Sequence, residues 1–484
     1  MSSERRRWLA LAVCLLGVFM TLLDVSIVNV ALPSMRQGLS ASAADLQWVV
    51  SGYALTLGLT LIPAGRLGDA RGRRLLFLIG ITLFTIASAA CSAALTPAWL
   101  VVSRLAQGIG GGLIAPQNSG LIQQLFRGAE RARAFGYFGA TVGVATAAGP
   151  ITGGVLLKLL GTGEGWRAVF LINVPVGVFV LLAARRLLPD NPGGTRRQNL
   201  DPVGVVLLAA AIVLLMLPLM HGGSGGGPPV WLLAPAAVAA AALVLWERRQ
   251  RRSGRLPLIN GDLFRSSGYT LGTALITLYF AGFTPIFFVL TVYLQSGQRY
   301  EPLLAGLAVS PFAVGNAVSA LAGGRLVNRL GRSVVVIGQL VVIAGLLGTL
   351  WADWQHTGPG VGWWMALPLL VGGLGAGLVV APNQTLTLAE VPVEQGSAAG
   401  GMLQTAQRLG AAFGIAVVTA LFFGAVGGGT ASSTAYRDGL AIGLWTSVGF
   451  VAVGLLLAVA DLVVRLRQDR VTPTTAHETP ADHH

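Results

Sequence analysis

The chain runs to 484 residues, 54% of them hydrophobic and only 11% charged, with a mean hydropathy of +0.71. Soluble domains carry about 25% charged residues, so this composition excludes a soluble globular protein and points to a chain that crosses a membrane many times. The formal net charge of +14 does not signal nucleic acid, because the basic residues sit in short loops between apolar runs.

A spanning helix needs ~20 predominantly apolar residues. Runs of that kind begin near Trp8, Leu46, Leu75, Ala98, Ala134, Trp166, Val203, Val230, Tyr269, Leu303, Val334, Trp363, Ala398 and Leu440, giving fourteen expected spans. The first is longer than the apolar core of about 7–15 residues in a signal peptide, and reads as a retained helix. The seventh and eighth are the weakest, joined by the glycine-rich connector from His221 to Pro229. Losing both leaves twelve spans and the same orientation.

Lys and Arg concentrate in cytoplasmic loops. Most of the 33 basic residues fall on one set of alternate segments, and only Arg36, Lys158, Arg167, Arg299 and Arg437 fall on the other. This asymmetry places both termini in the cytoplasm. Hydrophilic stretches at Pro189–Asp201 and Glu247–Gly268 divide the chain. The expected domains are a six-helix bundle over 1–190, cytoplasmic linkers with two inserted helices over 191–268, a second six-helix bundle over 269–468, and a disordered cytoplasmic tail over 469–484.

An internal repeat supports this division. Gly65-Arg-Leu-Gly-Asp69-Ala-Arg71-Gly72-Arg73 follows span 2, and Gly324-Arg-Leu-Val-Asn328-Arg-Leu-Gly331-Arg332 follows span 10. Both fit G-R-L-x-[DN]-x-x-G-R. Two pseudo-equivalent halves with a site between them are the architecture of many secondary transporters. The glycines permit a tight turn, and the arginines suit an anionic membrane face.

Two charges fall deep inside apolar runs. An ionisable residue within a membrane helix is costly and by default marks function. Asp24 lies eight residues from Leu32 at the outer face, or ~12 Å, and Arg104 lies six residues from Ala98 at the same face, or ~9 Å. The two are therefore at similar depth. A nearby Arg favours an ionised carboxylate, while desolvation disfavours it, so wetting on opening could change its protonation. Arg408 is the other intramembrane cation. Cys14 and Cys91 fall in apolar runs and read as packing residues. The only lysine, Lys158, is followed by Leu159 rather than Ser or Thr, so no P-loop is present. No metal site, cofactor or enzymatic activity is expected, and transport must draw on a gradient.

The stretch from Leu23 to Pro33, the Gly65–Arg74 loop, Arg104-Leu-Ala-Gln107-Gly108 and Gly149-Pro150-Ile-Thr-Gly153-Gly154 together resemble signatures of the major facilitator superfamily. Trp166-Arg167-x-x-Phe170-x-Ile172-Asn173-x-Pro175 and fourteen spans narrow the resemblance to the fourteen-helix drug:proton antiporter family. The resemblance implies an all-α polytopic membrane protein with the major facilitator fold: two six-helix bundles plus two extra central helices. It implies that Asp24, with Arg104, couples protons, and that Gly65, Asp69, Arg71, Gly72, Arg73 and Arg131 form a conformational switch. Asp69 would then sit near the start of helix 13, close to Ser397, with Arg131 or Arg133 as its partner. Gly149, Pro150, Gly153 and Gly154 match the antiporter motif, which implies helix 5 packed against a helix of the other half. Asn29, Gln107, Gln117, Tyr279, Phe283, Phe287, Asn316 and Arg408 are the expected substrate-cavity residues.

The expected function is proton-coupled antiport, exporting drug-like or antibiotic small molecules across the bacterial cytoplasmic membrane by a monomer, with no nucleic-acid partner. A single deep carboxylate suggests one-for-one exchange, hence neutral, zwitterionic or monocationic cargo. Proton-coupled uptake and a nontransporting membrane sensor are the alternatives.

Overall fold

The computed structural model describes residues 3–161, 163–190, 201–221, 230–253, 261–356, 358, 360–427 and 432–471. The expected tail from 472 onward, the connector at 222–229 and the linker pieces at 191–200 and 254–260 lie outside the described residues. Among those described there is no strand.

The first half comprises α1 (Ser3–Leu39), α2 (Ala43–Arg71), α3 (Arg73–Ser92), α4 (Pro97–Leu125), α5 (Gly128–Leu160) and α6, which is broken at Ile172 into Gly165–Leu171 and Asn173–Leu187. Two 20-residue helices follow, α7 (Pro202–His221) and α8 (Leu233–Arg252). The second half comprises α9 (Ser267–Val292), α10 (Pro302–Leu330), α11 (Ser333–Gln355), α12 (Val361–Ala389), α13 (Gly396–Val426) and α14 (Ser433–Val471). Among the described residues, 12 helices are long and apolar enough to cross a membrane, and α7 is apolar over Pro202–Leu215. The expected tail begins too early, since residues 469–471 still belong to α14.

The helix ends follow from local chemistry. Ser42 and Asp45 form a reciprocal capping box at the start of α2. Thr96 caps α4 with Pro97 at its first position, and Ser266 caps α9. The repeated loop glycines do what the repeat requires: Gly72 (φ 108°) and Gly331 (φ 53°) turn the chain through a region that L side chains rarely adopt.

α7 and α8 pack on each other, and α7 also touches α2 and α13. The two halves meet chiefly where α5 lies on α10 and α2 lies on α13, with α4 on α13 and α5 on α12 adding to the seam. Glycines set the spacing. A Cβ on Gly136 or Gly143 would come within 3.0 Å of Ala320 O or Ala317 N of α10, and one on Gly65 within 2.5 Å of Ser397 O. These contacts, like the inter-half hydrogen bonds described below, lie on the half of the molecule that carries the arginine-rich loops. The halves are closed on that basic face.

Candidate functional site: a sealed ion pair above a closed polar floor

Asp24 of α1 is wholly buried (0% exposed), as is Arg104 of α4 (1%). The sequence-depth estimate brings them together, and they touch: Arg104 Nη1 donates to Asp24 Oδ2 at 2.6 Å. The carboxylate's other oxygen accepts from Gln107 Nε2 and Asn173 Nδ2, both at 2.9 Å. Arg104 also donates from Nε to Val49 O at 3.0 Å and from Nη1 to Gln107 Oε1 at 2.6 Å. Its guanidinium lies 4.2 Å from the Tyr53 ring centroid and 5.7 Å from that of Phe170, both within cation–π range. Gln107 also reaches Ser88 Oγ at 2.7 Å. One carboxylate thus ties together α1, α4 and α6 and, through Gln107, α3. Removing one partner from a buried pair typically costs ~3–5 kcal/mol, because it leaves the other charge uncompensated.

Two expectations change here. Gln107, expected to line the substrate cavity, is wholly buried and belongs to the Asp24 network. Asn173, which belongs to the Trp166–Pro175 signature, is a direct donor to the carboxylate. It sits just after the break in α6 at Ile172, which gives its side chain access to α1. A polar amide beside a helix interruption was the available signal.

Toward the basic face the halves are latched. Asp69 accepts from Arg73 Nη2 at 2.8 Å, and across the seam from Ser397 N at 3.2 Å and Ala398 N at 2.8 Å. The first turn of α13 has free N–H groups and a partial positive charge, so an anion is favoured there. The expected approach of Asp69 to the start of helix 13 is therefore seen, but its cationic partner is Arg73, not Arg131 or Arg133. Arg73 also donates to Gly120 O at 2.7 Å and to Val393 O of the other half. Arg71 is exposed. Behind the latch, Arg66 lies within electrostatic range of Glu247 and Asp201 of the inserted segment, and Asp201 accepts from Trp246 Nε1 at 2.7 Å.

Between latch and ion pair lies a polar floor. Gln384 of α12 donates to Ser119 of α4 at 3.1 Å, and Gln404 of α13 donates to Ala115 O at 3.2 Å. Gln117, also expected in the cavity, is wholly buried here and donates to Ala64 O at 2.9 Å. Several buried polar atoms of this layer, including Gln117 Oε1, Asn118 Oδ1 and Ser397 Oγ, have no hydrogen-bond partner among the described residues. Such atoms disfavour a permanently shut floor.

The motif around Gly149 behaves differently from its resemblance. A Cβ on Gly149 would meet Ser26 at 2.3 Å, and one on Gly153 would meet Ile27 at 3.1 Å, so these glycines pack on α1 of the same half. Gly154 has nothing within 4 Å. α5 does meet the other half, but through Gly136, Gly139 and Gly143, below the motif; α5 continues unbroken past Pro150. Among the α9 aromatics, Tyr279 is wholly buried and stacks on Phe283 at 5.3 Å. Phe283 and Phe287 pack on Phe312 of α10. Tyr279 is therefore core, while Phe283, Phe287 and Asn316 remain half-buried. Asn29 and Arg408 are exposed.

Residues 14–415 match the family model described as Major Facilitator Superfamily. The chain is 38% identical to the probable actinorhodin transporter of Streptomyces coelicolor, over 87% of this chain and 73% of that protein. It is 35% identical to the tetracenomycin C resistance and export protein of Streptomyces glaucescens (87% and 77%), and 31% identical to the multidrug resistance protein Stp of Mycobacterium tuberculosis (86% and 76%). Among solved structures, the human organic anion transporter MFSD10 aligns with a TM-score of 0.65 at 15% identity, covering 95% of this chain and all of that one. The proton:xylose symporter XylE aligns at 0.63 and 15%, covering 92% and 95%. At these identities the solved structures speak to fold alone.

Proposed function

The chain belongs to the major facilitator superfamily, and from that premise we propose that it exports drug-like or antibiotic small molecules in exchange for protons. It would do so as a monomer in a bacterial cytoplasmic membrane, with both termini in the cytoplasm and the halves 1–190 and 269–468 rocking about the site between them. The observation that carries this reading is the sealed Asp24–Arg104 pair, the one carboxylate set deep within a span. Protonating Asp24 removes the countercharge of Arg104 while both are enclosed. The network then loses its strongest link, and α1, α4 and α6 are released from their present arrangement. The cost falls on this conformation alone, so the equilibrium moves toward opening at the basic face. There cargo enters, the proton leaves to the cytoplasm, and the restored pair recloses the floor. The names of the bacterial relatives, two of them antibiotic exporters or resistance proteins, support export over uptake.

The test is a drug-susceptibility panel in an efflux-deficient host, paired with pH-driven export in everted vesicles. Wild type should protect and export, and Asp24→Asn should do neither. Equal protection by the variant removes Asp24 from the mechanism. Raised accumulation of test compounds in cells expressing wild type reverses the direction.

A further inference from the structure

Arg408 is the charge that this mechanism leaves unused. It has no ion-pair or hydrogen-bond partner among the described residues, and its side chain is exposed although it sits far from either end of α13. It lies twelve residues from Gly396, or ~18 Å at 1.5 Å per residue, near the middle of a hydrocarbon layer ~30 Å thick. Helical periodicity fixes the direction in which it faces. Ser397, Gly401 and Gln404 meet Asp69, Leu61 O and Ala115 O of the first half, and Arg408 continues that stripe one turn farther from the basic face. The face of α13 that packs within its own half is a different one, marked by Gly410 on Thr277 and Gly414 on Ala281. Arg408 therefore faces the first half, not lipid. It stands one turn above the closed floor, within electrostatic range of Tyr53, with its side chain exposed although protein surrounds that level of α13.

The charge balance of this space is then clear. Asp24, the one acid deep within a span, is sealed and neutralised by Arg104. Of the other described acids, Asp461 is buried in α14 against Arg332, and the rest lie near helix ends or in loops. Among the described residues, Arg408 is the one charge at mid-span whose side chain is exposed, and it is positive.

We infer that Arg408 anchors an anionic group, a carboxylate, enolate or phenolate, on an otherwise apolar drug-sized substrate. This deepens the export reading and rests on it for the path that cargo takes. The planar guanidinium suits bidentate pairing with such groups, and the half-buried Phe283 and Phe287 offer apolar surface on the same half of the molecule. An anchor facing the space between the halves stays available whichever face is open.

The test compares anthraquinone-2-carboxylate with its methyl ester, binding the full-length protein in nanodiscs. The acid should bind at least ~10-fold more tightly than the ester, the factor that corresponds to about 1.4 kcal/mol. Arg408→Gln should erase that ratio, and Arg408→Lys, keeping a charge without the fork, should retain part of it. Equal binding of acid and ester by wild type, binding of neither, or an acid preference that survives Arg408→Gln each overturns the assignment. The wild-type ratio is decisive even should a variant fail to fold. Failure of wild type to export a bound acid under a pH gradient would instead sink the export reading, leaving the anion site standing.

Discussion

Replacing Asp24 with Asn tests the switch at its centre. The carboxylate accepts three hydrogen bonds, from Arg104, Gln107 and Asn173. An asparagine offers one oxygen and turns an N–H₂ toward at least one of those donors, while Arg104 stays 1% exposed with no countercharge. Loss of a buried partner costs ~3–5 kcal/mol, which is about two to three and a half decades in a conformational equilibrium at 1.4 kcal/mol per decade. The geometry predicts a protein less stable with its basic face closed, shifted toward the open form, and partly rescued by Arg104→Gln. The assay is a spin-label distance between cysteines at Arg71 and Glu394, both exposed on opposite sides of the latch. Asp24→Asn should move the population to longer distances and abolish pH-driven export. An unchanged distance distribution together with wild-type transport would falsify the reasoning.

Asp69→Asn should weaken the latch by ~1–2 kcal/mol, raising the open-to-closed ratio about 5–30-fold; alkylation of a cysteine replacing Ser397, buried at the closed seam, reports it, and unchanged labelling refutes it. Gly65→Val puts a Cβ 2.5 Å from Ser397 O, so the floor cannot shut. Folded yield should stay normal while export falls roughly 100-fold or more, a loss equivalent to ~2.7 kcal/mol, and near-normal export would refute the close approach. Asn173→Ala removes one donor, ~1 kcal/mol, and should reduce export several-fold. Added to Asp24→Asn it should have no further effect, since contacting residues do not act additively; independent losses would place Asn173 outside the network.

The sequence made the spans, the loop glycines and the depth match of Asp24 and Arg104 legible, because each depends only on composition, backbone conformation or rise per residue. What it left hidden depends on how helices rotate against one another. Gln107 and Gln117 look like cavity residues in one dimension, yet they turn toward Asp24 and the closed floor. Tyr279 shares a stripe with Phe283 and Phe287 but is carried inward by stacking. Arg73, four residues from Asp69, reaches it because Gly72 bends the chain back; a resemblance that pointed to Arg131 could not register that local geometry. The Gly149 motif meets α1 because the first half is parted from the second at that level, a property of the conformation as much as of the sequence.

The two copies of the repeated loop are not used alike. Asp69 binds the opposite half, whereas its counterpart Asn328 is exposed and uncharged. Arg332, the counterpart of Arg73, turns inward to Asp461 at 2.7 Å and to Gly268 O, both in its own half. A two-fold scaffold thus carries one ionic lock, at α2 and α13, while the α5–α10 seam is joined by bare glycine contact. Under the rocking proposed above, the first copy would act as the bolt and the second as the pivot, and opening would begin beside the inserted helices.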